Sequence, residues 1–530
     1  MYLSQTIGTN IIDDLASGTE FIFVDAPTGS GKTQLILRTV LPYIQKMGGQ
    51  ILYLVSRTIL ESQLREEILD AALSDYSCSD ETLDSITVWT YHRLAELCVH
   101  QFLPHFDVIV CDEAHFFLTD STYAIDEVAL SYDWITQQKC PKILLSATID
   151  SIFHYMKDHL ELSVGRVIHP NSMQLNISGP KSAIRYHAEP DYSSLCVKYV
   201  TKNAEIVTLC EKNKKEKKKK SLIFVSSKET GEKILQELQA KKVRAIFLTA
   251  DNKELEEQAK TIRTISEKSR FDSDVLIATA VLDVGVSIKD PDVNQIFIRS
   301  YNSEEFLQML GRLRVPTDAR YEGITLFIHK IRKQDVDRRL GQERTYLQIL
   351  EKARHSQNLD HDIASNEIMF ADNCNPGIYN ASHQRRMLLC PLALHRHREL
   401  FKRYKEISNA MSDNPDAFLL LQLRWLGLEE DYDVVNYVDN DVREEIRKEV
   451  QDKLYDAIVK YESETIVGLE SLKPILENLK PHLRRLDNSI RSNEALSVKK
   501  FNTSCQINNL PFSIGTEKAR IVKYHFKISK

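Results

Sequence analysis

The run FIFVD-APTGSGKT-QLILRTVLPYIQK (Phe21 to Lys46) narrows the folds open to this chain more than any other stretch. Its first five residues are nearly all apolar, as in a strand buried on both faces of a parallel sheet. A glycine loop, Lys-Thr and an amphipathic helix follow without a break, and that order marks a phosphate-binding loop. Gly29 and Gly31 let the backbone wrap a phosphate without Cβ clashes, while exposed N–H groups around Ser30 and the helix start supply partial positive charge. Lys32 is expected to reach the β- and γ-phosphates of ATP, and the Thr33 hydroxyl to ligate Mg²⁺. Ala26 stands where the general pattern has its first Gly.

More such runs follow. QILYLV (50–55), ITVW (86–89), DVIVC (107–111) and KILL (142–145) complete a first series of five. SLIFV (221–225), RAIFL (244–248), DVLIA (274–278), QIFI (295–298) and ITLFI (324–328) form a second, so two consecutive α/β units are expected. Beyond about Arg332 the apolar spacing turns to three and four residues, which predicts helices. The chain is thus expected to fold as an α/β protein with domains at 1–175 and 176–335. A mainly helical accessory region, 336–530, would follow, with a small basic winged-helix-like module at 490–530.

Composition narrows the class further. With 530 residues, 42% hydrophobic and 27% charged, the chain suits a multidomain globular protein and not a disordered or fibrous one. The net charge of -6 excludes a global polycation, so any nucleic acid must meet a local basic surface. Nine scattered cysteines include no CxxC pair, which argues against a zinc ribbon and for reduced core thiols. The first residues lack an early positive charge and no apolar run approaches membrane-spanning length, so a cytoplasmic location, or the nucleoid or nucleus, is expected in preference to secretion. The charge run KNKKEKKKK (212–220) reads as a solvated helix end before a strand or as a nucleic-acid contact.

The fourth strand of the first unit ends in Asp112-Glu113-Ala114-His115. Two carboxylates at the carboxyl end of a parallel strand lie where open α/β sheets bind ligands. Asp112 is placed to hold Mg²⁺ and Glu113 to polarise an attacking water. APTGSGKT, DEAH and the later Ser146-Ala147-Thr148 together resemble a superfamily 2 helicase of the DExH/DEAH type. VLIATAVLDVGVSI (275–288) is similar to that family's fifth motif, and QMLGRLR (308–314) to its sixth. VSRT (55–58) and GRLR also resemble the origin-binding helicases of herpesviruses.

The resemblance implies two RecA-like lobes with ATP between them. Arg312 would be the arginine finger and Gln308 a sensor of water or phosphate. Gly285, with Asp283, would line the cleft, and Gln5 would read the adenine. Ser146, Thr148 and His115 would couple nucleotide state to lobe closure. Arg57, Thr58, Thr90 and Arg93 of the first lobe, with Ser226 and Thr279 of the second, would touch nucleic acid. The sixth motif departs from the family: its second arginine is Arg314, one position early, and Val315 stands in the usual place. That leaves open whether Arg314 supplies a second contact to the nucleotide. Ser287 likewise stands where many relatives carry Asp.

The C-terminal third carries basic stretches, HQRR (383–386) and HRHRELFKRYK (395–405), that suit either a solvated helix face or a nucleic-acid contact. Aromatics Phe501, Phe512, Tyr524 and Phe526 interleave with lysines near the end, as a strand-gripping surface or as the module's own core. His361-Asp362 invites an HD-nuclease reading, which lacks further placed ligands. The expected function is an ATP-dependent helicase or translocase that uses Mg²⁺, with DNA favoured over RNA and 3′ to 5′ polarity by family analogy. A protein partner would dock through the C-terminal region, and no membrane is involved. Two alternatives stay open: an ATPase that remodels complexes without unwinding, and an ATP-gated nucleic-acid-binding subunit.

Overall fold

The computed structural model describes residues 3–27, 29–56, 61, 64–65, 68, 85–100, 103–169, 172–173, 182–188, 192–249, 251–252, 254–279, 287–314, 323–370, 375–381, 386–429, 440–487, 490, 494–517 and 521–529. The first sheet contains β1 (Phe21–Asp25), β2 (Ile51–Val55), β3 (Ile86–Thr90), β4 (Val108–Cys111), β5 (Lys142–Ser146), β6 (Ser163–His169), β7 (Ser172–Met173) and β8 (Ser182–His187). Their spatial order is β3-β2-β4-β5-β1-β8-β6-β7, parallel except for β7 against β6. Side chains along a strand alternate between faces, and this divides the apolar runs between two cores. Phe21, Phe23, Leu52, Leu54 and Ile109 lie on one side. Ile22, Val24, Tyr53, Val110 and Leu145 lie on the other, under the helix Leu3–Ala16. The helix after the phosphate loop passes through a π-helical turn, Ile36–Val40, just before Pro42, whose missing N–H interrupts the regular ladder.

The second sheet contains β9 (Cys196–Val200), β10 (Lys220–Phe224), β11 (Ala245–Leu248), β12 (Val275–Ala278), β13 (Val293–Ile298) and β14 (Thr325–His329), in the order β11-β12-β10-β13-β14-β9. All its pairings are parallel. The strands β8 and β9 fall between the two series of apolar runs, where the sequence pattern weakens from about Asp150 to Lys220. Because β8 pairs with β1, the first sheet extends past residue 175 to His187, and the passage between lobes lies between β8 and β9. The KNKKEKKKK run ends the helix Asn203–Lys212, makes a π turn and enters β10. Its lysines are tied to Glu445, Asp274, Asp292 and Asp290, which favours the solvated-helix-end reading.

The accessory region is not one appended body. Two long helices, Lys333–His355 and Pro391–Asp413, pack together. Between them the hairpin β15 (Ile378–Ala381) and β16 (Arg386–Leu389) brings Tyr379, Cys390, Leu392 and Ala393 into the first lobe's core. Leu419, Leu423 and Leu426 enter the second lobe's core from the other direction. The helices Asn440–Ile458, Leu469–Arg484 and Val498–Ile507 cover the opposite face of the second sheet. The antiparallel strands β17 (Ile466–Val467), β18 (Phe512–Glu517) and β19 (Lys523–Ile528) join them on that face.

Near the C-terminus, where a winged-helix-like module is expected, stand the helix Val498–Ile507 and the β18–β19 hairpin. Phe501, Phe512, Tyr524 and Phe526 are buried in the core, however, so they are not a surface on which bases can stack. Among the described residues no helix is long and apolar enough to cross a membrane, and their cysteines are free thiols.

Candidate nucleotide site between the lobes

The phosphate loop leaves β1 at Asp25 and turns through Gly29 (φ 81) and Gly31 (φ 90), left-handed angles that a side chain would oppose. Gly31 caps the helix that begins at Lys32. Leu3 N donates to Ser30 O, which anchors the loop to the first helix. Lys32 is buried and donates to Ala26 O at 2.8 Å and Pro27 O at 3.3 Å. Burial lowers its pKa, against the opposing pull of Glu113 and Asp112. The Ser30 hydroxyl is buried with no hydrogen-bond partner. A buried orphan donor in a glycine cradle, beside a lysine, suits an anionic oxygen.

The acidic pair sits one strand away from β5 and is fixed from its own sheet. Asp112 Oδ2 accepts from Tyr53 Oη at 3.1 Å, and Oδ1 accepts from Glu113 N at 3.0 Å. Tyr91 Oη holds the Asp112 carbonyl at 2.9 Å. Burial and then the neighbouring Glu113 push the Asp112 carboxyl up to about 6. Glu113 itself has φ 49, a left-handed angle costing about 1 kcal/mol or more in a non-glycine residue. Burial acts to raise its pKa, yet the His115 Nδ1 at 3.4 Å and the charges of Lys32, Arg312 and Arg314 together bring it below the ordinary value, so its carboxylate stays ionised.

From the second lobe comes the helix Ser303–Gly311, which ends directly at Arg312. Ile288 and Leu313 form an isolated bridge, with Ile288 N donating to Arg312 O and Arg314 N to Ile288 O, each at 2.8 Å. The Arg314 side chain covers the loop of the first lobe: a Cβ on Gly29 would lie 3.5 Å from Arg314 Nε. Arg312 is buried, and it and Arg314 both act on the pKa of Glu113. Gln308 Nε2 meets His115 Nε2 at 2.5 Å. His115 Nδ1 then meets Ser146 Oγ at 3.0 Å, and Ser146 Oγ accepts from Thr148 N. Burial lowers the pKa of His115. A neutral ring with Nδ1–H donating to Ser146 and Nε2 accepting from the amide satisfies every distance in this chain of contacts.

Residues 2–151 match the family described as "Type III restriction enzyme, res subunit", and residues 201–315 match the "Helicase conserved C-terminal domain". The two lobes are those of a superfamily 2 helicase. No curated protein sequence matches the chain. Among solved structures it is similar to S. cerevisiae Dbp5 bound to RNA and ADP BeF3, at 17% identity and a TM-score of 0.44 over 61% of this chain and 83% of that one. The Mycobacterium smegmatis helicase Lhr bound to ssDNA and AMP-PNP gives 15% and 0.41 over 75% and 60%. Mss116p bound to ssRNA and AMP-PNP gives 15% and 0.43 over 81% and 90%.

Within this helicase frame, His115 of the first lobe meets Gln308 of the second, and Glu113 and Lys32 lie within the electrostatic reach of Arg314, Glu113 also of Arg312; Asp112 joins them beside Glu113, and Ser146 and Thr148 join through His115. Gly285 and Asp283 lie outside the described residues, as do Arg57, Thr58 and the side chain of Gln5. Thr90 is buried at the end of β3, and its hydroxyl accepts from Arg93 N at 3.0 Å, so its oxygen starts a helix. Arg93 and Ser226 are exposed and Thr279 is half-buried, the last two at the carboxyl ends of β10 and β12. His361 and Asp362 do meet Glu367 within 4.8 Å, but on an exposed helix end where Asp362 is occupied by Ser356.

Three features carry no local sequence signal. Tyr53 and Tyr91 look like ordinary strand and helix aromatics, and only the fold sets them on Asp112. Asp25, at the end of β1, is held by Arg185 and His187 of β8, and Arg185 reaches on to Asp150 at 2.6 Å. Glu304, at the start of the helix leading to Arg312, accepts from Ser151 of the first lobe at 3.2 Å. It also pairs with Arg396 and Arg403 of the accessory helix Pro391–Asp413, at 3.4 and 3.6 Å. Burial opposes ionisation of Glu304, but Arg396 and Arg403 hold its pKa down at about 2.

Proposed function

We propose that this chain is an ATP-dependent helicase or translocase of the DEAH type that moves along one strand of nucleic acid, with DNA favoured over RNA. One observation carries the reading: Lys32, Asp112 and Glu113 of the first lobe gather with Arg312, Arg314 and Gln308 of the second in one partly buried cluster. A site assembled from both lobes ties the chemistry of ATP to the distance between them.

In this reading Lys32 and the N–H groups around Ser30 bind the phosphates of ATP. Thr33 and Asp112 would hold Mg²⁺, which neutralises phosphate charge when bound. Glu113, kept ionised by its cationic neighbours, orients a water and takes its proton. Arg312 stabilises charge on the transferring phosphoryl group, and Arg314, packed over Gly29, steadies the loop or adds a second contact. The Gln308–His115–Ser146 chain reports lobe closure to the first lobe. By the family resemblance Arg57, Thr58, Thr90, Arg93, Ser226 and Thr279 would touch the nucleic-acid backbone, where such contacts position a strand without reading its bases. The DNA preference rests on the sequence of the fifth motif, with Asp283 two before Gly285, and the 3′ to 5′ polarity on the family.

The test is ATP hydrolysis with no polymer, single-stranded DNA, duplex DNA and RNA, with a strand-displacement assay and a Glu113→Gln control. Stimulation by DNA above RNA, lost in the control, is the expected result. Stimulation without displacement would make the chain a remodelling or translocating ATPase. An equally low rate with every polymer would replace the motor by an ATP-gated binding subunit that waits for a protein partner.

A further inference from the structure

The basic stretch HRHRELFKRYK, open in the sequence to a solvated face or a nucleic-acid contact, has a third use in the fold. It lies on the accessory helix Pro391–Asp413, which runs from one lobe to the other. At the helix start Leu392 and Ala393 are buried in the first lobe's core, and the His395 ring centre stands 4.8 Å from that of Tyr155, on the first-lobe helix Asp150–His159. Farther along, Tyr404 and Ile407 pack with Tyr301 and Ile331 of the second lobe. The arginines of the stretch are taken up by carboxylates of the fold: Arg398 by Glu351, and Arg396 and Arg403 by Glu304.

Glu304 is where this arrangement meets the chemistry. It is buried at the start of the helix Ser303–Gly311, whose far end is Arg312. Its Oε1 accepts from Arg396 Nη1 at 3.4 Å and from Ser151 Oγ of the first lobe at 3.2 Å, and its Oε2 lies 3.6 Å from Arg403 Nη1. A buried carboxylate stripped of its cations is costly, so this end of the helix goes where Arg396 holds it. Arg396 is itself buried, and its place is set by the first-lobe packing of Leu392 about one turn earlier. A helix of nine residues is about 13 Å long, so a tilt of about 5° at Glu304 moves Arg312 by about 1 Å. A displacement of that size costs up to about 10²-fold in rate when it misplaces a group that acts on the reacting atoms.

We propose that Arg396, assisted by Arg403, is a positioning residue for ATP turnover: through Glu304 it sets where the second lobe's helix presents Gln308 and Arg312 to the first lobe. The inference rests on the ATP-dependent reading above and adds to it a task for the accessory region. That task is separate from any hold on nucleic acid.

The test measures kcat and KM for ATP on the full chain, with saturating single-stranded DNA or RNA, whichever stimulates the parent more. Arg396→Gln is expected to lower kcat at least about tenfold. KM for ATP should stay within about twofold, because the phosphate loop and Lys32 belong to the first lobe. Arg396→Lys, which returns a cation to Glu304, should recover part of the loss. Arg403→Gln carries the same test without emptying a buried position: Arg403 is half-buried, Arg396 stays on Glu304, and kcat should fall about threefold. In parallel, a labelled single-stranded oligonucleotide is titrated by anisotropy without ATP, and its affinity should be the same in the parent and both glutamine variants. Weakened oligonucleotide binding in those variants would make the stretch a nucleic-acid contact and overturn the proposal. A lysine variant as slow as the glutamine one would leave Arg396 a packing residue, with the same consequence. Unchanged kcat in both glutamine variants of an active parent overturns this inference alone, whereas a parent that turns over no ATP with any polymer overturns the proposed function together with it.

Discussion

In the first lobe, the groups that would act on ATP hang on strand ends and arrive already hydrogen-bonded. Asp112 is fixed by Tyr53 of the neighbouring strand and by the Glu113 N–H, and Lys32 lies against its own loop. In the second lobe, Arg312 and Arg314 follow the end of a helix and are steadied by one bridge to Ile288. The first half of the site therefore depends on a single sheet. The second half depends on how two bodies are held together: by the polar contacts of Gln308 with His115 and of Glu304 with Ser151 and two accessory arginines, and by accessory residues packed into the cores of both lobes. In the proposed reading, chemistry would be set mainly in one lobe and its timing in the other.

The comparison is tested most strongly by Arg312→Ala, which removes the second lobe's charge and is expected to slow polymer-stimulated ATP turnover by about 10³- to 10⁵-fold. Nucleotide binding, measured by fluorescence titration, should change little by contrast. Arg314→Ala sharpens it: a far smaller loss would leave Arg312 as the sole finger, and an equal loss would make both arginines fingers despite the altered spacing.

Glu113→Gln breaks the first half. Removing the base should cut turnover about 10²- to 10⁴-fold while ATP and nucleic acid still bind. A variant that also loses ATP affinity would show that Glu113 serves the loop more than the water.

Glu304→Gln tests the joint between the bodies. The parent carboxyl has a pKa of about 2 in the fold against an ordinary 4.5, so its ion pairs stabilise the chain fully above about pH 4.5. That contribution fades as pH falls toward 2, and its size is on the order of 3 kcal/mol. Urea midpoints at pH 7 should drop in the variant, while between pH 4.5 and pH 2 its midpoint should fall less steeply than the parent's. Parallel curves for the two proteins would remove Glu304 from the acid response.

The smallest effect is expected from Gln308→Ala, which deletes one hydrogen bond across the lobes. A loss of about 1 to 1.5 kcal/mol corresponds to roughly tenfold in the polymer-stimulated rate. If the rate without polymer falls by the same factor, Gln308 acts on the chemistry and not on closure.

Much of the candidate site was legible in the sequence because its parts are local. A strand buried on both faces is a run of apolar residues, a phosphate loop is a contiguous cradle of backbone, and Asp112 and Glu113 are adjacent. The strands Ser182–His187 and Cys196–Val200 were not legible: SAIRYH breaks its apolar run with Arg185, which is buried on Asp25, and CVKYV leaves Cys196 exposed and Lys198 and Tyr199 half-buried. The aromatics near the C-terminus left two readings open, since alternating Phe and Lys suits a buried hairpin as well as a binding surface.

What the residues determined alone was the local chemistry: which backbone can wrap a phosphate, which carboxylates share a turn, which strands lie inside. Only the tertiary structure decided which distant groups face them. Arg314 lies over Gly29, Gln308 meets His115, and Glu304 gathers Ser151 with Arg396 and Arg403. The reason is physical. Propensity and hydrophobic period act over a few residues, whereas a charge is indifferent to chain distance and finds its partner only once the packed sheets and helices have brought the two together.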